Sequence, residues 1–108
     1  MMSDDDWQDA KQALGDRIDD LRADYRRLPV DELARQIHSL KGLSAAYGQR
    51  AIAGLIHALE DDLRTQGRAT PIASYLDMMD DMLDARRGAD IAYLDLMLAT
   101  LHSRFTAA

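Results

Sequence analysis

The chain has 108 residues, a length that fits one domain spanning residues 1–108, and it contains no cysteine. The absence of cysteine excludes disulfides, thiolate metal sites and cysteine nucleophiles, and a formal net charge of −6 disfavours nucleic-acid binding. No apolar run approaches the roughly 20 residues of a membrane span, and the acidic N-terminus lacks a signal-peptide core, so we expect a cytoplasmic protein without a membrane segment.

The first two predicted helices are separated by Pro29. Ser3 is the N-cap candidate of the first helix, because three aspartates follow it and suit the positive end of a helix dipole. The second helix is predicted from about Val30 to Tyr47, with Gly48 as its stop. Apolar residues recur in steps of three and four, the spacing of a buried helix face. They are Trp7, Ala10, Leu14, Ile18, Leu21, Tyr25 and Leu28 in the first helix, and Val30, Leu33, Ile37, Leu40, Ser44 and Tyr47, with Leu43 alongside, in the second.

Three further helices are predicted at short intervals. The third covers about 49–66, the fourth begins with Thr70 as N-cap and Pro71 as first helical residue and ends at Gly88, and the fifth begins at Asp90. Their apolar stripes are Ile52, Leu55, Leu59 and Leu63, then Ile72, Tyr75, Leu76, Met79 and Leu83, then Ile91, Leu94, Met97, Leu98, Leu101 and Phe105. No stretch alternates with a period of two. The pattern therefore predicts an all-α, antiparallel up-and-down helical bundle, with about five helices and a four-helix core.

His38 is predicted to point away from the core. On an ideal helix its direction lies roughly 160° from that of Leu40. A neutral imidazole is a nucleophile near pH 7, and the positive charge of Lys41 and Arg35 suits a phosphoryl group. A glycine inside a helix costs about 1 kcal/mol relative to alanine, so the missing side chain at Gly42 indicates a requirement for space. The alternative interpretation is a surface histidine without a role. The neighbours of His38 one turn away on the helix are Ala34, Lys41, Gly42 and Ala45, with Arg35 beside them.

Residues 38–48, HSLKGLSAAYG, resemble the signature of the histidine phosphotransfer (HPt) domain family. The pattern is a histidine, Lys-Gly at the third and fourth following positions, small residues, and a glycine at the tenth. The leucine run that ends at Leu59-Glu60 resembles the family's following helix. The five-helix pattern extends the resemblance to nearly all of the chain. Leu43 departs slightly, since many relatives have a smaller residue there.

The resemblance implies that His38 is the phosphoacceptor, that Lys41 contacts the phosphoryl oxygens and that Gly42 leaves room beside the imidazole. It also implies a response-regulator receiver domain, or a hybrid histidine kinase, as partner. The receiver supplies the aspartyl phosphate and Mg²⁺, so we expect no cofactor of the chain's own. His38 then passes the group to a second receiver aspartate. Because the chain has no nucleotide-binding motif, the domain is expected to be inert alone. A bundle that buries its own core is expected to be a monomer. The implied docking residues are Ala34, Arg35, Ala45, Gly48 and Gln49.

Three other functions stay open. The chain could be the phosphoacceptor domain of a chemotaxis-type histidine kinase, or a non-catalytic helical interaction module. A metal or haem bundle is disfavoured, because no two histidines are three or four residues apart and neither Glu32 nor Glu60 begins a Glu-x-x-His motif, so no metal site is predicted. We expect His57 on the surface, and Glu60 on the surface or in a hydrogen bond at the bundle edge. Met78, Met79 and Met82 are expected in the core.

Overall fold

A computed structural model describes the backbone of residues 4–106 and the side chains of residues 4–103. The predicted cap at Ser3 and the side chain of Phe105 lie outside the described residues. A 3₁₀ turn at Gly67–Ala69 joins the third helix to the fourth, and residues 4–106 contain no strand. The helices are α1 (Asp4–Asp24), α2 (Val30–Ala46), α3 (Arg50–Gln66), α4 (Ile72–Asp84) and α5 (Ile91–Thr106).

Helices α1 to α4 form a closed ring of neighbours. α1 packs on α2 and α4, α3 packs on α2 and α4, and α5 packs on α3. Because short connections join them, consecutive helices run antiparallel. The predicted all-α up-and-down bundle with a four-helix core is confirmed. The most extensive helix pair is α2 with α3, and this pair carries the candidate site.

One hydrophobic core fills the bundle, and it uses the predicted helix faces. Burial of each large aliphatic side chain contributes about 1.5–3 kcal/mol. The core placement of the three α4 methionines is confirmed, whereas Val30 and Tyr47 are 39% and 37% exposed. Both lie at the ends of α2, where a projection from the middle of the helix no longer holds. Ile91, the first residue of α5, is 44% exposed for the same reason. The fully buried side chains include Leu14, Ile18, Leu33, Ile37, Leu40, Ile52, Leu55, Ile56, Leu59, Tyr75, Leu76 and Met79.

The first helix is shorter than predicted, because a side chain from another loop binds the turn that follows it. α1 ends at Asp24, and residues 25–28 form a turn before Pro29. Arg68 donates hydrogen bonds to the carbonyl of Tyr25, at 2.9 Å, and to that of Leu28. These bonds satisfy carbonyl groups that a helix end otherwise leaves without a partner.

Both ends of α4 also differ from the prediction. The hydroxyl of Thr70 is buried and caps nothing, and helix geometry starts only after Pro71, whose ψ is 68°. At the other end, Arg86 adopts a left-handed φ of 57°, with its N–H bonded to the carbonyl of Leu83 at 3.0 Å. This left-handed turn ends α4 at Asp84, four residues before the predicted stop.

Candidate functional site

A tight turn brings α3 back along α2. Gly48 has a φ of 72°, which only glycine adopts readily. Its N–H donates to the carbonyl of Ala45 at 3.0 Å, and the N–H of Gln49 donates to that of Ser44 at 2.8 Å. This is the hydrogen-bond pattern that ends a helix on a left-handed residue. The predicted stop at Gly48 is confirmed.

The start of α3 is capped by a distant loop. The N–H groups of Ala51 and Ile52 donate to the carbonyl of Gly88, between α4 and α5, at 2.8 and 3.0 Å. A Cβ at Gly88 would lie 2.0 Å from Oε1 of Gln49, so a larger residue here would require this buried side chain to move. The cap satisfies amide groups that a helix N-terminus leaves free. It thereby holds the helix that carries Glu60.

His38 projects from α2 into solvent, and its ring is held by a carboxylate from α3. The side chain is 70% exposed, which agrees with the predicted direction away from the core. Its Nδ1 lies 2.9 Å from Oε2 of Glu60. The other ring nitrogen, Nε2, has no hydrogen-bond partner among the described residues.

Lys41 approaches the second oxygen of the same carboxylate. Its ammonium lies 2.5 Å from Oε1 of Glu60, and the two side chains are 27% and 20% exposed. The two groups form an ion pair at the edge of the bundle. Burial raises the pKa of Glu60, but the contacts with Lys41 and His38 outweigh burial and bring the pKa below its ordinary value.

The state of Glu60 decides which nitrogen of His38 is nucleophilic. An ionised carboxylate can only accept hydrogen bonds, so the proton of a neutral His38 ring lies on Nδ1. The lone pair is then on Nε2. The arrangement therefore presents an exposed imidazole with a defined tautomer, beside an ammonium group. Such a group can attack an electrophilic phosphorus atom.

The surroundings of His38 are open. A Cβ at Gly42 would meet no atom within 4 Å. Arg35 is exposed and pairs with Glu32 on its own helix. Of the predicted docking residues, Gln49 is 3% exposed, so its side chain is not at the surface. The exposed members of the predicted docking set are Ala34, Arg35, Ala45 and Gly48.

Glu60 is the site residue whose role the sequence did not predict. Glu60 makes a hydrogen bond at the edge of the bundle, as expected, but its partnership with His38 depends on how α2 and α3 align. The side chain of His57 is 66% exposed, as expected, and its Nε2 lies 3.7 Å from Oδ2 of Asp61.

Within the described part of the chain, no group of three or more His, Asp or Glu side chains could hold a metal ion. No helix in residues 4–106 has the length and apolar character to cross a membrane.

Comparison with known families gives a match over most of the chain. Residues 3–103 match the family described as Hpt domain. Searches of curated proteins and of solved structures found no match to this chain. The matched segment covers almost all of the 108 residues and includes His38, Lys41 and Glu60. On the strength of this match, the chain belongs to the Hpt domain family.

Proposed function

We propose that the chain is a phosphoryl carrier that shuttles the group between receiver-domain aspartates through His38. Histidine phosphotransfer in two-component systems is the general role of Hpt domains, which interact with receiver domains and kinases. The observation that carries the finer proposal is the exposed ring of His38, whose Nδ1 is bound by an ionised Glu60. We further propose that the domain works as a monomer in the cytoplasm.

The transfer uses the lone pair on Nε2 of His38. It attacks the phosphorus of a receiver's aspartyl phosphate, and a P–N bond forms as the P–O bond breaks. The electron pair of that bond leaves with the aspartate carboxylate. Mg²⁺ held by the receiver would offset the charge of the transferring group. The phosphorylated ring keeps its proton on Nδ1 and gains positive charge, which Glu60 stabilises across 2.9 Å. Attack by the carboxylate of a second receiver reverses these steps.

Two further residues support the reaction in this proposal. Lys41 holds Glu60 ionised in the free domain, and its ammonium, three residues after His38 on α2, is the group proposed to meet phosphoryl oxygens once they arrive. Gly42 leaves space over the helix surface, so that the receiver's active site can reach the imidazole. The docking surface consists of the exposed residues around His38 and leaves out the side chain of Gln49. These residues are Ala34, Arg35, Ala45 and Gly48.

Transfer of labelled phosphate tests the proposal. The purified chain is mixed with a panel of labelled receiver domains, in parallel with His38→Gln. We expect an acid-labile, alkali-stable label on the wild type and none on the variant, because a phosphohistidine has this stability. Melting followed by circular dichroism is expected to be nearly the same for both proteins, since the ring is exposed.

Three other results would contradict the proposal. Label that arrives only from the ATP-binding domain of a histidine kinase would indicate the phosphoacceptor domain of a chemotaxis-type kinase. A chain that takes no label from any donor would be a helical interaction module. Equal labelling of wild type and His38→Gln would place the phosphoryl group on another residue.

A further inference from the structure

A groove of about 420 Å³ runs between α1 and α2. Ser39 follows His38 directly and Arg35 lies about one turn before it, so the groove is continuous with the face of the proposed function. Its floor offers little apolar surface, since Leu21 and Leu40 are 3% and 1% exposed. Recognition here therefore depends on polar and charged groups. The groove is lined by Arg17, Asp20, Leu21 and Asp24 from α1, and by Arg35, Gln36, Ser39 and Leu40 from α2.

Arg17 reaches from α1 towards the helix that carries His38. Its guanidinium donates a hydrogen bond to Oγ of Ser39 at 2.9 Å. Arg17 has no carboxylate partner among the described residues, whereas Arg22 on the same helix binds two aspartates at 2.6 Å each. A guanidinium carries five N–H donors in a fixed fork. Most of those of Arg17 are therefore available to a carboxylate from outside the domain.

The charges that line the groove fall into two kinds. Asp24 and Arg35 already pair with side chains close in sequence. Arg17 and Asp20 have no oppositely charged partner in the part of the chain that the structure describes. The groove thus offers one available positive group and one available negative group on α1. A surface with this pattern fits a partner that presents the opposite charges in the matching order.

We propose that Arg17 and Asp20 extend the receiver-docking surface onto α1 and select the cognate receiver. Arg17 binds a carboxylate on the receiver, and Asp20 binds a basic side chain. The inference rests on the proposed function, because it names a recognition site for the same partner. It places Arg17 in recognition and not in the chemical step, since the residue meets none of the reacting atoms.

The test uses the full chain and a receiver that labels the wild type in the panel above. The transfer rate is measured against receiver concentration to separate KM from kcat. We expect Arg17→Ala to raise KM roughly five- to tenfold and to leave kcat within about twofold, because the loss of one charge at the edge of an interface weakens association. Arg17→Lys is expected to recover part of the affinity, since it keeps the charge but not the fork.

Two control variants separate binding from support of the fold. Lys11→Ala makes the same charge change on the side of α1 that faces Asp84, 3.3 Å away, and is expected to keep the wild-type KM. Ser39→Ala removes only the internal hydrogen bond of Arg17 and is expected to change KM by less than about twofold.

The outcomes are distinct. A wild-type KM for Arg17→Ala would overturn the docking role and leave phosphoryl transfer standing. Equal rises in KM for Ser39→Ala and Arg17→Ala would also overturn it, because Arg17 would then act only by holding α2. If the wild type accepted label from no receiver in the panel, both the proposed function and the docking role would be contradicted.

Discussion

Gly42 lies on the exposed face of α2, one turn beyond His38, and the free domain leaves the space of its missing side chain empty. A Cβ there would meet no atom within 4 Å. A glycine within a helix costs about 1 kcal/mol relative to alanine, so the fold would be more stable without it. The packing of the chain therefore gives no reason for this glycine. A close approach by a partner does.

Gly42→Ala is expected to separate stability from transfer. It should raise the free energy of unfolding by about 1 kcal/mol, because the helix gains propensity without a clash. It should also slow phosphoryl transfer, because the methyl group stands between the receiver and His38. Thermal melting and single-turnover labelling measure the two effects. Gly15, where a Cβ also has open space, provides the control. Gly15→Ala should stabilise the domain without slowing phosphoryl transfer.

Glu60→Gln tests the tautomer of His38. A glutamine amide can donate to Nδ1, which favours the ring with its proton on Nε2 and no lone pair there. We expect transfer to slow by roughly tenfold or more. Imidazole ¹⁵N shifts should show a larger share of the Nε2–H form. Asp61→Asn makes the same charge change at the next position of α3, and a similar loss of rate in that control would argue against a specific role for Glu60.

Local spacing explains which site residues could be predicted. His38, Lys41 and Gly42 lie within about one turn of one helix, so their common face follows from the helical repeat. Glu60 is 22 positions from His38, and their meeting depends on the turn at Gly48 and on the packing of α2 against α3. No period in the sequence contains that information.

At the scale of elements, the position of α3 depends on a loop distant in sequence. The carbonyl of Gly88 binds two amide groups in the first turn of α3, and a methyl group at Gly88 would collide with the side chains of Gln49 and Ile52. Apolar spacing predicted that the five helices exist. It could not predict several of their ends, because those are determined by contacts from other loops, such as the one at Gly88 and the Arg68 bonds after α1.

Gly88→Ala is expected to destabilise the bundle by about 1–3 kcal/mol, the usual cost of forcing extra volume into a packed site. Its Cβ would fall 2.0 Å from Gln49 and 2.8 Å from Ile52. Urea unfolding followed by circular dichroism measures the loss, with Gly15→Ala as the matched change at an open site. If Gly88→Ala were as stable as the wild type, the side chains of Gln49 and Ile52 would have room to move and the fold would not need a glycine here.

At the scale of the whole molecule, two carboxyl groups respond to pH in opposite directions. The pKa of Glu60 is lowered, so its contribution to stability is present above its ordinary value of 4.5 and is lost as pH falls through the folded value. For Asp80, burial raises the pKa above its ordinary 3.8, with Asp19 and Asp84 adding to burial and Arg22 opposing it. Ionisation of Asp80 therefore costs stability as pH rises.

Unfolding free energies at about pH 3 and pH 7 test this opposition. The stability that the wild type holds over Glu60→Gln should grow as pH rises, because only the wild type gains a favourable charge. The difference in unfolding free energy between the wild type and Asp80→Asn should shift in favour of the variant as pH rises. Urea titrations of the three proteins measure both differences. If the unfolding free energies of the two variants changed with pH in the same way, the pKa directions assigned to Glu60 and Asp80 would be contradicted.

Trp7 lies where α1 meets the end of α4. Its indole N–H donates to the carbonyl of Leu83 at 3.0 Å, and the guanidinium of Arg86 lies 4.1 Å from the ring centroid. It is the one tryptophan of the chain, and these contacts involve neither α2 nor α3. Tryptophan fluorescence, excited selectively over the tyrosines, thus comes from a single site separate from His38 and Glu60. With a receiver that lacks tryptophan, emission reports on the integrity of this domain while the phosphate label reports on transfer, in one sample.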